Sequence, residues 1–154
     1  MTDRSVTHAT FVIDRTYDAS PARVFGAFAD PEAKKRWFSG PDEAPTEHSL
    51  DFRVGGKEIS RGRAPGGGPT YSFEAFIQDI VPNERIVTTY NMHLDEAQIS
   101  VSLSTTEFKP DGSGTRLVYT EQGAFLDGYD TPAEREHGTR ELLDALDKYL
   151  KGDA

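Results

Sequence analysis

The stretch Thr131 to Leu150, TPAEREHGTRELLDALDKYL, decides the fold. Thr131 followed by Pro132 starts a helix: a hydroxyl that can accept a backbone N–H, then a ring whose fixed φ suits the first helical position. Glu134 stands three residues after Thr131, the spacing of a capping box. Leu142, Leu143, Leu146, Tyr149 and Leu150 then fall at i, i+1, i+4, i+7 and i+8 and make one apolar stripe, opposed by Glu141, Asp144, Asp147 and Lys148. Gly152 stops the helix. A long helix with one apolar face needs a surface to cover it.

That surface lies upstream. A first strand is predicted over His8 to Tyr17, with Phe11, Ile13, Arg15 and Tyr17 on one face. Ser20-Pro21 and Asp30-Pro31 are two cap-then-proline signals in close succession. They predict two short helices, one carrying Val24, Phe25 and Phe28, the other Ala33, Trp37 and Phe38. From about Thr46 to Gly123 the chain reads as strands and turns. Leu50, Phe52 and Val54 alternate before a Gly55-Gly56 turn, and Lys57 to Ala64 is a polar strand near an edge. Gly62 to Pro69 is a glycine-rich turn without the Gly-Lys-Ser/Thr ending of a phosphate loop. Strands over Tyr71–Ile80 and Arg85–His93 follow. Next, Ile99, Val101 and Leu103 alternate with Ser100, Ser102 and Ser104, which predicts a strand with its apolar face buried. After a hairpin turn at Pro110 to Gly114, Leu117, Tyr119 and Glu121 share a face. Consecutive strands joined by short turns make an antiparallel meander. Only the long helix has a stripe to match its apolar face. The predicted fold is therefore α+β: a curved antiparallel sheet of six to seven strands around the C-terminal helix, as one domain over residues 1–154.

Composition bounds the function. The 154 residues include no cysteine, which excludes disulfides, thiolate metal sites and cysteine nucleophiles and fits a cytoplasmic location. The net charge of −9 argues against nucleic acid as a partner. Met1 to Ser5 is polar, unlike a secretory signal, and no apolar run approaches the roughly 20 residues that cross a bilayer. Membrane association is therefore not expected.

Four segments resemble a known family. Ala19-Ser20-Pro21-Ala22-Arg23-Val24-Phe25-Gly26-Ala27-Phe28 is similar to the first helix of the START/SRPBCC superfamily. Asp30-Pro31-Glu32 through Trp37-Phe38 resembles its second helix, Asp51-Phe52-Arg53-Val54-Gly55-Gly56 its signature turn, and Val81-Pro82-Asn83-Glu84-Arg85-Ile86-Val87 the turn before a central strand. The nearer resemblance is to the subgroup named for activators of heat-shock protein 90 ATPase. Gly138 through Leu150 also fits, although Thr139 stands where many members have Trp. The resemblance implies a helix-grip (START/Bet v 1-like) fold with an internal cavity, and it leaves the activity open.

Cavity walls are expected from the short helices (Phe28, Trp37, Phe38), the central strands (Phe73, Tyr90, Met92, Tyr119) and the loop before the long helix (Phe125, Tyr129). Each of these could be plain core instead, and for Phe28 and Trp37 that is the favoured reading. The expected polar groups are Arg15, Tyr90, Glu121 and His137. A buried Glu121 is a candidate acid or base, and a strand-end position or a salt bridge with Arg15 is the plainer alternative. Gly138, inside the helix, either brings helix and sheet close, leaves room for a ligand or marks a frayed turn. Glu134 and His137, at i and i+3, lack evident partners for a metal, so no metal or cofactor is expected. No Gly-x-Ser-x-Gly elbow is present for a serine hydrolase. Three functions stay open: a carrier of an apolar or aromatic small molecule, a cyclase or lyase using Glu121, His137 or a pocket tyrosine in the same cavity, and a chaperone-binding module. A homodimer through an exposed strand edge also stays open.

Overall fold

The caps read from the sequence close as expected. In the computed structural model, which describes residues 3–38, 44–63 and 65–152, Ser20 Oγ accepts the Arg23 N–H at 3.2 Å and Thr131 Oγ1 accepts the Glu134 N–H at 3.1 Å. Asp30 serves two helices. Its N–H donates to Gly26 O at 2.9 Å, closing the first, and its carboxylate accepts the Glu32 N–H at 3.1 Å, opening the second. The elements run β1 (Val6–Tyr17), α1 (Pro21–Ala29), α2 (Pro31–Trp37), β2 (Ala44–Leu50), β3 (Lys57–Arg63), β4 (Thr70–Val81), β5 (Arg85–Leu94), β6 (Ala97–Asp111), β7 (Gly114–Leu126) and α3 (Pro132–Leu150). Among the described residues no helix is long and apolar enough to cross a membrane.

All seven strands form one curved antiparallel sheet in the order β1-β7-β6-β5-β4-β3-β2. Only β1 leaves the meander, crossing to the outside of β7 because α1 and α2 intervene. Lys57–Arg63 is thus one strand in from the edge, which β2 occupies, and its expected last residue, Ala64, lies outside the described residues. The expected extension of β2 through Phe52 and Val54 does not form. The strand ends at Leu50, and residues 51–56 turn. A Cβ on Gly56 would sit 2.0 Å from Asp51 O, so only glycine passes. Phe52 instead packs edge-on against Phe25, with centroids 5.7 Å apart.

The core lies under the C-terminal half of α3. Leu143 and Leu146 pack with Ile13, Val24, Phe28, Trp37 and Leu117. Buried polar atoms here are satisfied: Tyr17 Oη donates to Leu143 O at 2.9 Å and Trp37 Nε1 to Ala27 O at 2.9 Å.

In β6 the expected faces are exchanged beyond Ile99. Ile99 is buried, but Val101 and Leu103 are 45% and 36% exposed, whereas Ser100, Ser102 and Ser104 are buried. A bulge is the cause. Met92 pairs with Ser100 and His93 with Gln98, so Ile99 is the extra residue and the inward face shifts from the aliphatic side chains to the serines. Two substitutions separate core from surface. Leu146→Ala is expected to destabilise by about 2–5 kcal/mol. Leu103→Ser is expected to stay within about 0.5 kcal/mol of the parent. Urea unfolding monitored by circular dichroism measures both.

Candidate functional site: a cavity between sheet and helix

The first half of α3 does not touch the sheet through apolar packing. It stands off, and the gap is a cavity of about 520 Å³. Seven of the expected wall residues border it: Phe28, Trp37 and Phe38 from α1, α2 and the residue after α2, and Phe73, Tyr90, Met92 and Tyr119 from the strands. Phe38 meets Phe73 edge-on at 5.2 Å, and Phe73 lies 4.9 Å from Tyr90, so the aromatic wall is continuous. Gly138 also borders it, and a Cβ built there meets nothing within 4 Å. The glycine therefore leaves space rather than bringing helix and sheet together. Tyr129 stands at the rim, exposed.

Four of the expected site residues, Phe125, His137, Glu121 and Arg15, do not line the cavity. Phe125 belongs to β7 rather than a loop, and it is buried with its ring 5.2 Å from the Arg135 guanidinium. His137 is 75% exposed and pairs with Glu141 at 2.9 Å, because helical periodicity turns it away from the stripe that Gly138 and Leu142 share. It does not converge with Glu134, which borders the cavity. Glu121 is 0% exposed and lies behind the wall.

Glu121 is the centre of a buried polar network. Its Oε2 accepts Tyr90 Oη at 2.6 Å and Ser102 Oγ at 2.8 Å, and its Oε1 accepts Tyr119 Oη at 2.6 Å. Its ion partner is Arg135 of α3 at 3.3 Å, not Arg15, which pairs with Asp144. The same guanidinium donates to Tyr90 Oη at 2.9 Å and Ser100 Oγ at 2.7 Å and pairs with Asp130 at 3.0 Å. Burial, with the Glu121 carboxylate adjacent, pushes the Tyr90 hydroxyl well above its ordinary range. Burial raises Tyr119 in the same way, reinforced by Tyr90 and Glu121. Both phenols therefore stay protonated as donors.

A second buried ion cluster borders the cavity below α2. Lys34 Nζ donates to Glu58 Oε1 at 2.6 Å, and His48 Nε2 lies 3.0 Å from Glu58 Oε2. Burial alone would raise the Glu58 pKa. The Lys34 charge and the hydrogen bonds from His48 and Lys34 overcome it and hold the carboxyl below its ordinary value.

Sequence reasoning passed over Arg135, Glu58 and Lys34. Arg135 stands one turn before Gly138 and Thr139 on the stripe that continues to Leu142, so extending the stripe by a turn finds it. Glu58 alternates with Ser60 and Gly62, and all three are inward-facing on β3. A polar inward face is legible only once the cavity behind it is known.

A curved antiparallel sheet closed over one long C-terminal helix, with two short helices after the first strand and a cavity between the layers, defines the helix-grip class of START/SRPBCC-type proteins. Residues 18–151 match the family described as Activator of Hsp90 ATPase homolog 1-like protein, and the chain belongs to that family. It is similar to a crystallised Rhizobium loti protein, with 54% identity over 95% of this chain and 99% of that one and a TM-score of 0.87. A Rhizobium leguminosarum protein is 44% identical over 97% of this chain and 99% of that one, with a TM-score of 0.92. An AHSA1-like protein from Aeromonas hydrophila shares the fold at 20% identity, covering 94% of this chain and 93% of that one, with a TM-score of 0.73. No curated protein matches.

The Glu58 cluster makes a pH prediction. Glu58 has a depressed folded-state pKa, so its stabilisation is fully present above the unfolded value of about 4.3 and is lost as pH falls through the lower folded value. Glu58→Gln, which leaves Lys34 buried without its counter-ion, is expected to destabilise by about 3 kcal/mol at pH 7. The gap between parent and variant is expected to narrow below about pH 4, as measured by denaturant titrations at each pH.

Proposed function

We propose that the protein binds an apolar, aromatic-compatible small molecule in the cavity between β3–β7 and the N-terminal half of α3. One observation carries this reading: a space of about 520 Å³ is walled by aromatic side chains and kept open by a glycine in mid-helix. That volume lies within the range of about 300–1,000 Å³ usual for small-molecule sites, and apolar walls with a few fixed polar groups are their usual lining. Gly138 supports the reading energetically. A glycine inside a helix costs roughly 1 kcal/mol against alanine, and here no neighbouring atom requires it.

The polar network favours binding over turnover. Glu121 is shielded from the cavity by the two tyrosines it accepts from, and both hydroxyl protons already point at its carboxylate. A base must reach the proton it abstracts, and this carboxylate reaches only protein groups. The network serves instead as a rigid, satisfied wall.

Gly138 gives the test. Gly138→Ala is expected to raise stability by up to about 1 kcal/mol and to retain binding of the neutral apolar fluorophore Nile red. Gly138→Phe, which fills the space, is expected to fold and to weaken Nile red binding about tenfold or more. Equal fluorescence titrations for the parent and Gly138→Phe would count against the cavity as the binding site.

A further inference from the structure

The two ion clusters beside the cavity differ in what they leave unused. At the Arg135 end every carboxylate is already engaged by protein donors. Glu121 takes four donors, and Asp130 is taken by Arg135. Arg135 in turn places both of its terminal nitrogens on protein oxygens. At the α2 end each oxygen of Glu58 has a partner, Lys34 on one and His48 on the other. The Lys34 ammonium carries three N–H donors, and Glu58 receives one. The other described neighbours of Nζ are the faces of Phe38 and Phe28, with centroids 4.2 and 5.8 Å away. An aromatic face attracts the cation but offers no oxygen lone pair. Lys34 borders the cavity with its side chain 12% exposed. Each oxygen of the two buried carboxylates, Glu58 and Glu121, thus has a protein partner, whereas the Lys34 ammonium, which borders the cavity, has N–H donors beyond the one that Glu58 takes. Desolvated donors of a charged group gain strongly from an acceptor, by more than neutral donors do.

We infer that Lys34 is the polar anchor of the ligand, which is an aromatic molecule presenting an acceptor oxygen, from a carbonyl or a carboxylate, to Lys34 Nζ while its rings lie along Phe38, Phe73 and Tyr90. This rests on the binding reading above and narrows it to a ligand class. A purely hydrocarbon ligand leaves the donors unmet, and a ligand with an amine at that end places like charge on Lys34.

Four two-ring probes of one shape separate these cases by calorimetry or by displacement of Nile red: 2-ethylnaphthalene, 2-acetonaphthone, 2-naphthoate and 2-naphthylmethylammonium. The ketone or the carboxylate is expected to bind about tenfold more tightly than the hydrocarbon, and the ammonium more weakly than the hydrocarbon. The tighter of the first two tells whether the acceptor is a carbonyl or a carboxylate. In Lys34→Met/Glu58→Gln, which removes both charges together, the acceptor preference is expected to vanish while the hydrocarbon still binds. The ranking in the parent protein decides the matter even if that variant does not fold. Equal binding of hydrocarbon, ketone and carboxylate, or tightest binding of the ammonium, overturns the anchor and leaves the binding reading standing. Failure of all four probes and of Nile red overturns both.

Discussion

Helix α3 is fastened at its two ends by different physics, and the rest of the structure depends on that contrast. Its C-terminal half is held by hydrophobic burial, with Leu143 and Leu146 among Ile13, Val24 and Leu117. Its N-terminal end is held by one guanidinium. Arg135 reaches Tyr90 on β5, Ser100 on β6, Glu121 on β7 and Asp130 in the preceding loop. An apolar contact is non-directional and draws surfaces together. A long charged side chain sets a distance. Between the two anchors, Gly138 and Thr139 face a gap, and Leu142 borders both that gap and the core.

The bulge at Ile99 is part of the same arrangement. By shifting the inward face of β6 to Ser100 and Ser102, it supplies hydroxyls to Arg135 and Glu121 where the sequence alternation would put Val101 and Leu103. Without those partners the buried ions would be costly, since breaking such a network strands a charge in a dry interior. The described residues contain no buried side-chain nitrogen or oxygen without a partner. Replacing such pairs with apolar residues of like size is often neutral for stability. Here they hold the Tyr90 and Tyr119 hydroxyls in fixed positions along the cavity wall.

Much of this was legible from the chain. The α3 stripe, the Ser20, Asp30 and Thr131 caps and the alternation on β1 and β7 each follow from local periodicity, and together they predict a helix against a meander. The aromatics Phe38, Phe73, Tyr90 and Tyr119 were found because large side chains on inward faces must border whatever fills the interior. The strand misreadings on β3 and β6 share one cause. Period-two patterning assigns the apolar set to the inside, and that rule fails where the interior is polar. It passes over Glu58 and, beyond the Ile99 bulge, misplaces the β6 serines; Arg135 lies one turn before the apolar stripe of α3. Phe125 was misplaced for a different reason: β7 runs longer than its turn signals suggest, so a strand residue read as a loop.

A gap between the two anchors of α3 that serves as a ligand site, and is not a packing fault, holds a small molecule. Native mass spectrometry of the protein purified without denaturation, beside Gly138→Phe purified in the same way, tests this most directly. A small-molecule adduct of one-to-one stoichiometry is expected on the parent chain, released on denaturation and absent from the variant. An adduct that persists unchanged on Gly138→Phe, or a bare parent chain that stays bare when incubated with the aromatic probes, would contradict it.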